Sequence, residues 1–116
     1  MTKTELIDYI ENRFSAGPEY PWEDDHIDAV FRHANTRKWF ALYMEVDRKR
    51  LGQEGEGTAP ILNVKTGPLL QGAYLSTEGI IQAYHMSKTN WVTIVLDVVD
   101  RKTTEELLEI SWDLTK

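Results

Sequence analysis

Apolar positions recur at the helical period at both ends of the chain and alternate, or run together, in between. Over residues 2–14, Leu6, Ile7, Ile10 and Phe14 fall on one arc of a helix, and Glu5, Asp8, Glu11 and Asn12 fall opposite. Thr2 followed three residues later by Glu5 has the form of a capping box, and Gly17-Pro18 ends the pattern. Over 103–115, Leu107, Leu108, Ile110, Ser111 and Leu114 oppose Glu105, Glu106, Glu109 and Asp113, with Thr103 and Glu106 as a second capping box. The middle of the chain reads as strands. Segments 28–33 and 38–46 form a pair across Ala34-Asn35-Thr36-Arg37. In the second, period two puts Phe40, Leu42, Met44 and Val46 on one face and Trp39, Ala41 and Tyr43 on the other; two apolar faces predict a strand covered on both sides.

Residues 61–65 form a short third strand, and 67–77 a helix with Pro68 in its first turn and Leu69, Leu70, Ala73 and Tyr74 on its apolar face. The runs 80–86 and 91–96 then flank Ser87-Lys88-Thr89-Asn90, the layout of a β-hairpin with a four-residue connection. The expected order is α-β-β-β-α-β-β-α: one α+β domain over 1–116, a mostly antiparallel sheet with its helices packed on one face. Two stretches lie outside this pattern. Residues 19–28 are acidic and read as an exposed loop with Trp22 as its core anchor; their carboxylates suit a hard cation but lack the glycine and ligand spacing of an EF-hand. Residues 52–60 are a glycine-rich surface loop, too irregular for a dinucleotide fingerprint and without the Gly-Lys-Ser/Thr of a P-loop.

Composition narrows the function. The chain has 116 residues, 41% hydrophobic and 28% charged, as in a folded soluble domain. It has no cysteine, which excludes disulfides, a thiol nucleophile and a thiolate metal site. Its apolar runs fall far short of a membrane span, and its N-terminus lacks a signal-peptide pattern, so the expectation is a cytoplasmic protein with no membrane partner. The net charge of −6 divides into −6 over 1–28, +3 over 29–96 and −3 over 97–116. An acidic total argues against strong non-specific binding to nucleic acid, while the basic middle allows a weak, salt-sensitive contact.

Three functional classes fit these residues. For nucleic acid, Tyr84, His85, Lys88, Trp91, Arg32 and Lys38 supply cations for phosphate and rings for bases, with Arg37 and Arg48-Lys49-Arg50 nearby in sequence. For catalysis, His85 beside Tyr84 and Lys88 has the makings of a general base, but there is no Gly-x-Ser-x-Gly elbow or evident carboxylate orienter. For a metal, His26, His33 and His85 show no ligand spacing. The expectation is therefore a non-enzymatic protein with no catalytic residues, no metal and no cofactor. The third class is a protein-interaction or small-ligand adaptor built on Tyr84, His85, Trp91 and Trp39. Those aromatics exposed beside Lys88 and Arg32 would favour nucleic acid, beside acids a protein partner, and around a pocket a ligand.

Several fragments together resemble the MmcQ/YjbR family of small bacterial proteins. They are Pro21-Trp22, Val30-Phe31-Arg32, Phe40-Ala41-Leu42, Asn63-Val64-Lys65, then Ala83-Tyr84-His85-Met86-x-Lys88-x-x-Trp91-x-Thr93 with Leu96-Asp97, and finally Leu107-Leu108-x-x-Ser111-Trp112-x-Leu114. The resemblance implies an α/β fold similar to CyaY-like or double-wing architectures, in a family often labelled DNA-binding and without established catalytic residues. Gln82, Ser87 and Asn90 depart from the usual Pro, Asn and His, Thr66-Gly67-Pro68 replaces a usual Cys-Asp-Pro, and the glycine-rich loop looks like an insertion. Tyr84, His85, Lys88 and Trp91 remain. The expected function is a DNA-binding domain working through the 84–91 hairpin, monomeric or weakly dimeric; the alternative is the adaptor.

Overall fold

The computed structural model describes residues 1–22 and 26–116. Its elements run α1 (Lys3–Phe14), β1 (Ala29–Arg32), β2 (Trp39–Asp47), a 3₁₀ turn (Arg48–Leu51), β3 (Thr58–Lys65), α2 (Gly67–Tyr74), β4 (Ile80–Gln82), β5 (Trp91–Val95) and α3 (Arg101–Thr115). This is the expected order. The strands form one antiparallel sheet in the order β1-β2-β3-β5-β4, and α2 carries the chain from β3 past β5 to the far edge.

Helix α1 starts as its sequence predicts, with both halves of the Thr2–Glu5 capping box present. It buries Leu6, Ile10 and Phe14 and ends at Ser15, which takes the left-handed conformation (φ 55°) before Gly17 is reached. Helix α3 starts earlier than expected. Asp100 is its N-cap and accepts from the Thr103 amide at 2.8 Å, so Thr103 lies inside the first turn rather than capping it. Hydrogen bonds from Thr103 hold the Asp100 carboxyl below its ordinary range. The buried stripe of α3 runs through Thr104, Leu107, Leu108, Ser111 and Thr115, while Leu114 faces solvent.

These two helices cover one sheet face. Leu6, Ile10, Phe14, Leu107 and Leu108 meet Phe31, Phe40, Tyr43, Leu62, Val64, Val92 and Ile94 in the main core. Burying each large apolar side chain there contributes about 1.5–3 kcal/mol. The register of β2 departs from strict alternation. Phe31 pairs with Ala41 but Arg32 pairs with Trp39, leaving Phe40 as the extra residue of a bulge. Phe40 therefore joins Ala41 and Tyr43 in the helix-side core, and Trp39 moves to the opposite face with Leu42 and Met44. A second, smaller cluster lies on that opposite face, where Val46, Leu51, Ala59, Ile61 and Val95 pack with Met44, Ile81 and Tyr84. Part of the expected 52–60 loop belongs to this layer: Thr58–Pro60 begin β3, and Leu51 in the 3₁₀ turn is buried.

Helix α2 has Pro68 in its first turn as predicted, but its apolar face is not buried. Leu69 is 94% exposed and Leu70 is exposed too; Tyr74 and, just beyond the helix, Leu75 reach the core instead. The turn after it needs glycine. Gly79 has φ +88°, and a Cβ there would stand 2.8 Å from Val98 Cγ1 and from Val99 Cγ2.

His33 is buried between β1 and the end of α3, its ring 4.0 Å from that of Trp112 and its Nε2 2.8 Å from the Thr115 hydroxyl. Burial pushes its pKa below the usual 6.5, and Lys116 and Lys38 push the same way against a hydrogen bond to the Trp112 backbone. Between the lowered folded value and 6.5 the unfolded chain binds the proton more readily. This contribution to stability is therefore complete above pH 6.5 and declines as the pH falls below it. Urea titrations at about pH 7.5 and about pH 5.5 should show a larger loss for the wild type than for His33→Asn. Equal losses would remove His33 from the account.

Candidate functional site

Antiparallel pairing places Asn63 of β3 opposite Thr93 of β5, both fully buried on the face away from the helices. Buried polar groups need partners, and these two find them in each other and in the backbone of Tyr84. The Thr93 hydroxyl donates to Asn63 Oδ1 and accepts from the Tyr84 amide at 2.8 Å, while Asn63 Nδ2 donates to the Tyr84 carbonyl at 2.9 Å. The main chain at Tyr84 is thus tied to side chains of the sheet rather than to a neighbouring strand. This corrects the four-residue hairpin. β4 stops at Gln82, and residues 83–90 form the connection to β5.

The connection is held along its length. Lys88 Nζ donates to the Ala83 carbonyl at 2.6 Å, Gln71 Nε2 donates to the Lys88 carbonyl, and the Trp91 amide donates to the Ser87 carbonyl at 3.0 Å. At its turn His85 adopts φ 59°, unusual for a non-glycine residue, and its ring stacks on Tyr84 with centroids 4.0 Å apart and planes 8° from parallel.

This loop is one wall of a cavity of about 540 Å³ on the second sheet face. Leu42 and Met44 come from β2, His85 and Met86 from the loop, and Trp39 and Trp22 stand edge to face with ring centroids 6.2 Å apart. Asp28, just before β1, completes the lining. A volume within roughly 300–1,000 Å³, an apolar and aromatic lining and a few polar groups are the properties of small-molecule sites. Trp22 is 40% exposed and belongs to this cavity, not to the core it was expected to anchor. The cation reading of residues 19–28 rests in part on Glu23, Asp24 and Asp25, outside the described residues.

The sequence candidates separate. His85 and Trp39 line the cavity; Tyr84 is half-buried behind His85 and packs on the second cluster. Lys88 serves as a backbone staple. Trp91 is half-buried in β5 opposite Lys65, outside the cavity lining. Arg32 lies 5.6 Å over the Trp39 ring and 3.6 Å from Glu19, and its buried Nε has no hydrogen-bond partner. Lys38 is exposed, with its carbonyl accepting from the His33 amide. Other arginines meet acids: Arg37 with Glu19 at 2.7 Å, Arg13 with Glu109 at 2.5 Å, and Arg48 with Asp97 at 2.5 Å, a pairing that raises the Arg48 pKa. Among the described residues no three His, Asp or Glu side chains converge as metal ligands. No helix there is long and apolar enough to cross a membrane.

The sequence reading missed Asp28, Leu42, Met44 and Met86 as one site. Leu42 and Met44 look like core positions, and only the bulge that turns Trp39 onto their face unites them with the loop. A signal was present in the polar pair Asn63 and Thr93, set amid apolar strand residues.

A sheet backed by helices on one face, with a cavity on the other, defines a small α+β domain. The sequence model of the YjbR family matches residues 15–114, and the chain belongs to that family. It is 34% identical over 117 residues to the uncharacterized protein YyaQ of Bacillus subtilis, covering 100% of this chain and 99% of that one. A crystal structure of a Pseudomonas syringae protein, 34% identical and fully covered in both chains, superposes with a TM-score of 0.95. A Deinococcus radiodurans structure, 23% identical and covering 97% of this chain and 77% of that one, shares the fold with a TM-score of 0.72.

Proposed function

We propose that this protein is a small-ligand-binding module and that its site is the cavity between Trp22, Trp39, His85 and Met86. The observation that carries the reading is the cavity itself: two indole rings and two thioethers left accessible on a sheet face, with a loop tied down beside them. Binding without chemistry fits the lining better than catalysis. One imidazole and one carboxylate line it, with no hydroxyl or thiol nucleophile among the described lining residues. DNA binding has less support, because Lys88 is spent on a backbone carbonyl, Arg48 pairs with Asp97, and Arg37 and Arg32 share Glu19.

The test pairs two titrations. A fragment library screened by ¹⁵N–¹H spectra should perturb the Trp22 and Trp39 indole signals, and Trp39→Ala should weaken the best fragment at least about 10-fold, the scale of one lost aromatic anchor. Labelled duplex and single-stranded DNA should show no anisotropy change at low salt. Salt-sensitive DNA binding lost in a folded Lys88→Ala variant, with no fragment at the cavity, would replace this reading with the nucleic-acid one.

A further inference from the structure

We infer that the cavity takes an uncharged aromatic ring bearing a hydroxyl group, a phenol, and that His85 is the residue that selects it. This rests on the cavity being a ligand site. Among the described residues, Ser15, Arg37 and His85 have positive φ without being glycine. Ser15 caps α1, and Arg37 closes the turn after β1 with its amide on the His33 carbonyl at 2.9 Å. His85 does neither. Its φ of 59° falls in the loop between β4 and β5, next to the Tyr84 backbone that Asn63 and Thr93 hold to the sheet. A side chain kept in a disfavoured backbone region points to a use for that side chain. Tyr84 covers one face of the imidazole, with 4.0 Å between ring centroids, and neither ring nitrogen has a hydrogen-bond partner among the described residues. The ring is held at the cavity wall with its donor and its acceptor unused.

The rest of the lining sets the shape of the guest. The two indole planes stand 78° apart with centroids at 6.2 Å, so a flat ring stacked on one meets the other edge-on. Met44 and Met86 add polarisable thioethers suited to an aromatic guest. Charge singles out no guest. Asp28 has an interaction of its own within the fold, and Arg32, 5.6 Å over the Trp39 ring, is outside the lining and shares Glu19 with Arg37. A hydroxyl group both donates and accepts, so it meets the imidazole in either tautomer.

Two probes that differ by one hydroxyl group test this, 4-methylphenol and toluene, each titrated into the full ¹⁵N-labelled chain. Both are uncharged at neutral pH, since a phenol ionises near pH ~10. Trp22 and Trp39 line the cavity and supply the readout, and Trp112, stacked on Phe14 in the main core, is the internal control. 4-Methylphenol is expected to bind about 3–10-fold more tightly than toluene, the worth of one net hydrogen bond. His85→Phe keeps a ring against Tyr84 without a hydrogen-bonding atom. It should leave toluene within about two-fold and bring 4-methylphenol to the level of toluene or below, because its hydroxyl group then loses water without a partner. His85→Gly suits the positive φ and should leave the urea midpoint unchanged or raise it. A clearly lower midpoint would show that the imidazole is kept for packing and would overturn its role in selection. Toluene binding as tightly as 4-methylphenol to the wild type, or a preference that survives in folded His85→Phe, would overturn it too. If neither probe moves the Trp22 and Trp39 signals while other fragments do, the ligand class is wrong and the cavity reading stands. If no compound of any kind moves them, the cavity reading falls as well.

Discussion

Phe40→Ala is expected to cost about 3–5 kcal/mol of folding stability. Phe40 is fully buried as the extra residue of the β2 bulge, with ring centroids 5.6 Å from Phe14, 5.3 Å from His33 and 4.9 Å from Trp112. Those neighbours come from α1, from the segment after β1 and from α3, so a cavity there cannot be closed by moving one element. A domain of this size has about 5–15 kcal/mol to lose, and the variant should be partly unfolded near physiological temperature. Urea denaturation followed by far-UV circular dichroism measures it. A loss below about 1 kcal/mol would mean that the ring is not enclosed as described, because truncating a buried aromatic does not come so cheaply.

The second large effect is expected at Asn63, where stability and site meet. Asn63→Leu keeps the volume nearly constant but leaves the Tyr84 carbonyl and the Thr93 hydroxyl without their partner. Each buried polar group so orphaned costs about 1–3 kcal/mol, giving about 2–6 kcal/mol in all. The loss should be local as well as global. Residues 83–90 are tied to the sheet through this pair, so their amides should exchange with deuterium faster in the variant, while amides of α1 and the centre of β3 keep relatively more of their protection. The same variant should lose affinity for whatever occupies the cavity, because His85 and Met86 form one wall of it. Unchanged exchange over 83–90 would show that Lys88 and Gln71 alone hold the loop.

The candidate site was only half legible in the sequence. His85 and Trp39 could be named because an imidazole and an indole in a strand-rich segment are chemically conspicuous. Lys88 was conspicuous too, but its ammonium group is turned back onto the Ala83 carbonyl, which no linear pattern announces. The net basic charge of the middle segment pointed toward phosphate. Ion pairs with Glu19 and Asp97 draw Arg37 and Arg48 to carboxylates 18 and 49 positions away in sequence.

By itself the sequence determined the two terminal helices, the strand-rich middle, the order of elements and the family. The elements follow from periodicity and capping residues, which act over a few neighbouring positions, and the family from the resemblance of spaced fragments such as Ala83-Tyr84-His85-Met86. Tertiary structure alone decided where the faces turn and what they enclose. The bulge at Phe40 reverses the sides of Phe40 and Trp39 because β1 and β2 fall out of step by one residue. The hairpin opens into an eight-residue loop because Asn63 and Thr93, 30 positions apart, need the backbone of Tyr84 as a partner once they are buried. Leu69 lies on the surface because the strands and helices had already filled the core without it. A cavity is made by surfaces that are remote along the chain, so no local rule records it.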